Sequence, residues 1–243
     1  MTISRRALQA DQRARLLDAA VRLLEDGGPE ALQARRLTAE VGASTQALYT
    51  LFGGMPGLFE ALVAEGFVRF AAHIRAVPGT DDAVADFFAQ GWAFCDWAFQ
   101  HPQLYRLMFG LTGGGLRLHR GLEMTVSGTL ANFPEGQAAL EVMTGSLDRV
   151  KAAGRIRPAD TLIVAGQFLS ATHGFVLLAI SGAFGEAESA LAPQVLTALG
   201  VNLMAGLGDQ REAAERSLQA ALTPRGRAGR GAGARAGTGS RRA

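Results

Sequence analysis

Residues 33–52 read QARRLTAEVGASTQALYTLF, and the predicted fold is built around them. A helical period of about 3.6 residues predicts two short helices here. Leu37 and Val41 lie on one apolar face of the first helix, which Gly42 ends. Ser44 is placed to cap the second helix. That helix turns its apolar residues inward and leaves four side chains outward: Thr45, Gln46, Tyr49 and Thr50. Two helices joined by a short turn, the second with hydrogen-bonding groups outward, are typical of helix-turn-helix domains that enter the DNA major groove.

Residues 37–44, LTAEVGAS, followed by residues 48–52, LYTLF, resemble the N-terminal domain of the tetracycline-repressor (TetR) family. The resemblance extends roughly from residue 13 to residue 67 and implies a DNA-binding regulator. The chain departs from the usual family pattern at four positions: Gln33 instead of Thr, Thr38 instead of Ala, Leu51 instead of His, and Met55 instead of Lys. The His and Lys commonly help to hold phosphates, so these departures concern individual backbone contacts. The simpler alternative is that any pair of short helices can show this pattern.

The outward side chains of the helix pair form the predicted DNA-contacting set. Arg35 and Tyr49 are expected at phosphates. Thr45, Gln46 and Thr50 are expected at base edges, where the Gln46 amide can pair with adenine. The full set comprises Arg35, Thr38, Ser44, Thr45, Gln46, Tyr49 and Thr50.

Composition and motifs limit the other function classes. Apolar residues make up 48% of the 243 residues, enough for a sizeable core, and no sustained strand-like alternation occurs. The four His residues lie at no four-residue spacing, and a single cysteine, Cys95, excludes a cysteine-rich metal site. No catalytic or nucleotide-binding motif occurs. We therefore predict an all-α protein that is not an enzyme and uses neither a cofactor nor a metal.

The net charge of +2 is unevenly distributed. Residues 224–243 carry six Arg and no acidic residue, which leaves 18 basic and 22 acidic residues elsewhere. DNA must therefore be met by the N-terminal unit or by the tail. The tail is rich in Gly and Ala and is expected to be disordered. It either adds sequence-independent affinity for DNA or is simply solvated.

Glycines, prolines and caps predict the domain organisation. A flexible arm spans residues 1–10, and a three-helix helix-turn-helix domain follows over residues 11–55, with Asp11 capping its first helix. A connecting helix over residues 56–75 leads into a larger helical bundle over residues 76–222, which binds a ligand and dimerises. The disordered tail covers residues 223–243. The pattern leaves open whether residues 116–131 are helical.

The helix predicted over residues 82–100 carries six aromatic side chains within thirteen residues, more than one helix face needs. These and later residues supply a candidate ligand pocket between helices. The expected lining is Phe88, Trp92, Tyr105, Met108 and Phe109, with Gln167, Ser170 and His173 as polar groups. The alternative is an ordinary core with a satisfied His.

Residues 92–110, together with Thr172-His173-Gly174, resemble the WHG-type C-terminal domain of some TetR-like regulators, although Thr172 replaces the usual Trp. That resemblance implies a ligand-binding, dimerising domain.

Residues 161–185 form an uncharged run long enough to span a membrane. The polar residues Gln167, Ser170 and His173 recur every three residues, which favours a helix buried in the protein or between subunits. The N-terminal segment has no apolar core, so we expect no signal peptide and a cytoplasmic location.

We therefore predict a repressor that a small hydrophobic or aromatic ligand releases from a palindromic operator in double-stranded DNA. Two copies are expected to pair through helices near residues 160–182 and 189–204, with no membrane partner. The alternative is a membrane-associated or structural helical protein built on residues 161–185.

Overall fold

A computed structural model describes residues 4–111, 134–185 and 190–223. The described part of the chain is helical and contains no strand. Its α-helices are α1 (Arg5–Gly27), α2 (Ala34–Glu40), α3 (Thr45–Phe52), α4 (Met55–Arg75), α5 (Ala83–Gln100), α6 (Pro102–Met108), α7 (Pro134–Ala152), α8 (Thr161–Ile180), α9 (Leu191–Leu207) and α10 (Arg211–Leu222). A short 3₁₀ turn, Pro29–Ala31, joins α1 to α2. The predicted all-α fold, a small helix-turn-helix unit followed by a larger bundle, is confirmed.

The first helix begins earlier than the sequence suggested. The Ser4 hydroxyl accepts a hydrogen bond from the Ala7 N–H at 3.2 Å and caps α1 at Arg5. The expected flexible arm over residues 1–10 is therefore wrong for residues 5–10, and Asp11 is not the cap. Residues 5–10, RRALQA, are good helix formers, so one capping hydroxyl suffices to extend the helix. Residues 1–3 of the expected arm lie outside the described residues.

The helix pair has the predicted boundaries. Gly42, at φ +64°, follows the end of α2 in the left-handed conformation that glycine adopts at little cost. The Ser44 hydroxyl accepts from the Ala47 N–H at 3.2 Å and caps α3. Leu37 and Leu48 are fully buried and hold the two helices onto α1 and α4.

Helix α4 links the two units. It starts three residues after α3 ends, at an angle of 61° to it, and runs on as one helix to Arg75. Its first half buries Leu58 and Leu62 beside the helix pair, while Phe67, Phe70 and Ile74 lie against the second unit. The predicted connecting helix thus begins one residue early, at Met55.

A polar cluster fixes the start of α5. The Asp82 carboxylate caps this helix by accepting from the N–H groups of Val84 and Ala85. Asp86 is buried and accepts from the Thr80 N–H and hydroxyl and from Arg149 of α7 at 2.8 Å. Removing Arg149 would leave the buried Asp86 carboxylate without its charged partner, so this ion pair helps to define how α5 and α7 meet.

Helix α8 has one face in the core and one face exposed. Val164, Phe168 and Val176 are buried, whereas Ile163 is 64% exposed and Leu178 52% exposed. The helix is long and apolar enough to cross a membrane. The buried part of the helix packs against α5, α7 and α9, which agrees with the expectation of a helix embedded in the protein. Residues 116–131 and the tail from residue 224 lie outside the described residues.

Candidate DNA-reading surface and ligand cavity

The outer edge of α3 is polar and open to solvent. Thr45, Gln46 and Thr50 are exposed, and the Tyr49 side chain is 62% exposed. The Thr50 hydroxyl donates to the Gln46 carbonyl oxygen at 2.9 Å, so it lies along the helix surface. Arg35 and Arg36 are exposed on the neighbouring α2. This surface therefore combines hydrogen-bonding groups on one helix with guanidinium groups on the next.

Two predicted DNA-contacting residues have local structural roles. The Ser44 hydroxyl is exposed but accepts the capping bond of α3. Thr38 is only 3% exposed, and its hydroxyl donates to the Ala34 carbonyl oxygen at 2.9 Å. The expectation that Thr38 contacts DNA is therefore corrected. A hydroxyl that bonds to the preceding turn of its own helix can be buried where an alanine would otherwise fit.

Arginines of α1 brace the helix pair, a role that the sequence pattern did not indicate. The Arg13 guanidinium lies 5.2 Å from the centre of the Phe52 ring, over the end of α3. Arg15 donates to the Val41 carbonyl oxygen at 2.8 Å, at the turn between α2 and α3. The partners lie 26 or more residues apart in the chain. The spacing of residues within one helix cannot predict contacts between such distant parts of the chain.

Glycines set the angle between α3 and α4. Gly53 adopts φ +73° and ends α3 in the left-handed conformation. A Cβ on Gly57 would overlap the carbonyl oxygen of Phe52. The first turn of α4 therefore approaches the last turn of α3 so closely that residue 57 has no room for a side chain. This approach fixes the direction in which α3 leaves α4.

A cavity of about 440 Å³ lies in the second unit, between α4, α5, α7, α8, α9 and α10. Its walls are apolar, and none of the lining residues that the structure describes is ionisable. Their polar side chains are those of Gln90, Thr172 and Thr197. The aromatic side chains of the wall are Phe67, Phe70, Phe87, Phe88, Trp92, Phe94, Phe109 and Phe168.

Three of the predicted ligand residues line this cavity: Phe88, Trp92 and Phe109. Tyr105 and Met108 are fully buried and do not line it. A hydrogen bond of 2.6 Å joins the Tyr105 hydroxyl oxygen to His173 Nδ1, and burial lowers the pKa of His173. The half-buried His173 thus has a satisfied ring nitrogen and is not among the described lining residues of the cavity. Met108 instead packs against the bare backbone of Gly66 in α4.

The polar stripe of α8 faces the other way. Gln167 and Ser170 are exposed, whereas the cavity side of α8 carries Phe168, Leu169, Ala171 and Thr172. The expectation that Gln167 and Ser170 orient a ligand in this cavity is therefore corrected. Apart from this stripe α8 is apolar on every side, so its sequence does not specify which face meets the core.

The polar group that the sequence did not single out is Gln90 of α5. Its Oε1 atom accepts from the Ser146 hydroxyl of α7 at 2.6 Å. Ser146 is buried, so this bond holds the amide in a defined orientation beside the cavity. The sequence feature that could have indicated Gln90 is its position as an uncharged polar residue within α5, the helix rich in aromatic residues.

A carboxylate connects the two units. Glu25, near the end of α1, accepts from the N–H groups of Gln103 and Leu104 and so caps α6. Burial raises the pKa of Glu25 above its ordinary value, while these two N–H groups lower it. Phe109, which follows α6, lines the cavity. Helix α6 thus touches the first unit at one end and the cavity wall at the other.

These features define a helix-turn-helix DNA-binding protein whose second unit encloses an apolar cavity. Residues 16–62 match the family described as bacterial regulatory proteins, tetR family, and residues 87–201 match a tetracyclin repressor-like C-terminal domain. The chain belongs to the TetR family of DNA-binding transcription regulators. Proteins of this family are regulators and not enzymes, which confirms that prediction.

Solved structures share the fold over most of the chain. A protein of unknown function from Rhodococcus sp. RHA1 is 27% identical, with a TM-score of 0.65 over 81% of this chain and 95% of that one. RolR in complex with its ligand resorcinol is 15% identical, with a TM-score of 0.57 over 88% of this chain and 96% of that one. The TetR family regulator PfmR from Thermus thermophilus is 18% identical, with a TM-score of 0.54 over 79% of this chain and 98% of that one. No curated protein sequence matches the chain significantly.

Proposed function

We propose that the protein is a cytoplasmic, dimeric repressor that leaves a palindromic operator when a small uncharged apolar or aromatic molecule enters its cavity. The observation that carries this proposal is the position of the cavity against α4. Phe67, Phe70 and Ile74 of α4 line the cavity, and the same helix begins where α3 ends. A ligand that displaces these side chains acts directly on α4, the helix that is joined to α3.

In this proposal α3 enters the major groove. Gln46 and the exposed Thr45 and Thr50 contact base edges, whereas Arg35 and Tyr49 contact phosphates. All five side chains are exposed on the helix pair, as contacts with DNA require. Base contacts specify the sequence, and phosphate contacts position the protein on any duplex.

Two copies pair through α8 and α9. The exposed apolar side chains Ile163 and Leu178 on α8 support this assignment, because burial of such side chains is the main favourable term in most protein association. Pairing of two copies about a two-fold axis sets the two α3 helices about 34 Å apart, one turn of DNA.

Release follows from a difference in affinity. A ligand shifts the protein away from the operator only to the extent that it binds the released arrangement more tightly than the DNA-bound one. The apolar cavity supports an apolar ligand. Resorcinol, the small aromatic ligand in the RolR complex, supports the same chemical class.

The test starts with selection of bound sequences from random duplex DNA. On the selected operator, Gln46→Ala should lose about 10- to 100-fold of the preference for the cognate sequence over a scrambled one. Arg35→Ala should weaken both duplexes alike and, because the dimer loses two phosphate contacts, reduce the slope of log affinity against log salt by about 1.8. Gel-shift titrations at several salt concentrations measure both quantities.

Matched controls separate these effects from general damage. Gln100→Ala and Arg216→Ala change the same residue types at exposed positions of α5 and α10, outside the helix pair. Both should leave operator binding unchanged. Equal losses on cognate and scrambled DNA for Gln46→Ala and Arg35→Ala would refute the division of roles. Selection that recovers no preferred sequence would refute the regulator proposal itself.

A further inference from the structure

We propose that the cavity selects uncharged aromatic molecules that carry a hydrogen-bond acceptor, and that the Gln90 side-chain amide recognises this acceptor. The inference rests on the proposed function for its biological meaning and names the ligand class of that same cavity. It is argued from the charges, the polar groups and the free space of the cavity wall.

The wall selects against charge. None of the described lining residues is ionisable, so this part of the wall offers a carboxylate or an ammonium group no partner of opposite charge. Transfer of an unpaired charge from water into apolar surroundings is strongly unfavourable. Seven phenylalanines and one tryptophan instead present ring faces and edges to the cavity. Such walls favour flat, uncharged ring systems.

Gln90 provides a directed donor within this wall. The Ser146 hydroxyl donates to its Oε1 atom at 2.6 Å, which fixes the acceptor end of the amide towards α7. Within the part of the chain that the structure describes, the Nε2 atom makes no hydrogen bond. An amide whose oxygen is hydrogen-bonded and whose nitrogen is not can donate a hydrogen bond to a ligand.

Free space lies along α5 one residue from the amide. The next residue, Gly91, also lines the cavity, and a Cβ built there would meet no atom within 4 Å outside its own stretch of α5. Gly200 on α9 differs, because a Cβ there would lie 2.9 Å from the Phe88 ring. The cavity is thus open at Gly91, the residue that follows Gln90. A ligand carbonyl, ether or phenol oxygen can approach the amide from this side.

Three naphthalenes substituted at the same ring position test the inference: acetonaphthone, isopropenylnaphthalene and naphthoate. The first two have nearly the same shape, but only the ketone has an acceptor; the third is charged. Calorimetry with the full-length protein and no DNA measures the dissociation constants. The ketone should bind about tenfold more tightly than the hydrocarbon, and naphthoate should bind at least tenfold more weakly than the ketone.

Gln90→Leu should abolish the preference for the ketone and change the affinity for the hydrocarbon by less than about twofold. Gln100→Leu, an exposed change on the same helix, should keep the preference. Gln90→Met provides the same test if the leucine variant does not fold. Retention of the ketone preference in a folded Gln90 variant overturns the inference. So does naphthoate binding as tight as that of the ketone, or the absence of binding by all three compounds.

A separate titration with operator DNA keeps the two proposals apart. If the ketone binds with the Gln90-dependent preference but does not release the operator, the ligand class stands and ligand-controlled repression fails. If the operator is released by compounds whose affinity is the same for wild type and the Gln90 variants, ligand-controlled repression stands and the present inference fails.

Discussion

The two units of the molecule differ in how they are filled. The helix pair packs around fully buried leucines, Leu37 and Leu48, and α3 meets α4 so closely that residue 57 has no space for a Cβ. The second unit encloses about 440 Å³ of free volume between six helices of the described chain. A DNA-binding helix pair must keep its side chains in one geometry, whereas a ligand-binding domain needs empty space for another molecule. In the proposed function the ligand is sensed away from the DNA, and α4 and α6 are helices that contact both units.

Truncation of one leucine in each unit should show the largest contrast. Leu48→Ala removes a fully buried side chain from α3 and should lower the free energy of unfolding by about 2–5 kcal/mol. Leu199→Ala removes a side chain from the cavity wall, where part of its surface already lacks protein neighbours. Its cost should be clearly smaller. Chemical denaturation of both variants measures the difference, and equal costs would contradict the contrast between the units.

The second prediction concerns the junction of α3 and α4. Gly57→Ala places a methyl group against the Phe52 carbonyl oxygen and should lower the free energy of unfolding by about 1–3 kcal/mol. Operator affinity should fall, because α3 has to move, while calorimetric ligand affinity stays the same. Gly145→Ala is the control, since a Cβ at this exposed position of α7 meets nothing within 4 Å. Unchanged operator binding by Gly57→Ala would show that the close approach does not position α3.

The third prediction tests the contact between the units. Glu25→Ala removes the cap of α6 and should lower the free energy of unfolding by about 1 kcal/mol. Burial holds the pKa of Glu25 above its ordinary value of 4.5, so the folded protein binds this proton more readily than the unfolded chain. The associated stability is complete below pH 4.5 and is lost as pH rises through the raised pKa. The gap between wild type and Glu25→Ala should therefore widen on acidification.

Denaturation curves measured from neutral pH down to pH 4.5 check this trend. Asp26→Ala serves as the comparison variant, because the neighbouring Asp26 charge also raises the pKa of Glu25. It should leave the cap intact and reduce the pH dependence. A gap between wild type and Glu25→Ala that narrows at low pH would contradict the assignment.

The smallest effect is expected at Gly91, in the open part of the cavity. Gly91→Ala should raise the free energy of unfolding by about 0.5–1 kcal/mol, since alanine favours a helix interior over glycine and meets no atom here. Gly91→Leu should also fill the free space and weaken binding of acetonaphthone. Gly145→Leu, on the exposed side of α7, should leave ligand affinity unchanged. Equal ligand affinity for Gly91→Leu and wild type would place the ligand elsewhere.

The sequence predicted the helix pair of α2 and α3 well, because the residues that begin, end and orient these helices act locally. Gly42 and Ser44 end and begin helices through their own backbone and side-chain bonds, and Leu48 marks the inner face of a helix that is polar on its other side. The error at Thr38 arose because a threonine can satisfy its hydroxyl on the preceding helical turn and then be buried. The error at the N-terminus arose because Ser4 caps a helix that Asp11 was expected to begin.

The cavity was predicted only in part. Phe88 and Trp92 were predicted correctly because they belong to a helix with unusually many aromatic residues. Gln167 and Ser170 were predicted wrongly, because the mostly apolar sequence of α8 does not indicate which side of the helix faces the cavity. The bond between Tyr105 and His173 spans 68 residues, and the bond between Gln90 and Ser146 spans 56. Spacing within a helix carries no information about partners on another helix.

The sequence alone therefore determined the class of protein, the helix-turn-helix and the exposed edge of α3, since capping, helix breaking and amphipathic periodicity act within a few residues. Only the tertiary structure decided which aromatic side chains surround empty space, which polar groups face it, and how Glu25 joins α1 to α6. These features depend on side chains brought together from distant parts of the chain. A cavity is a property of how helices fail to fill the space between them, and no single helix encodes it.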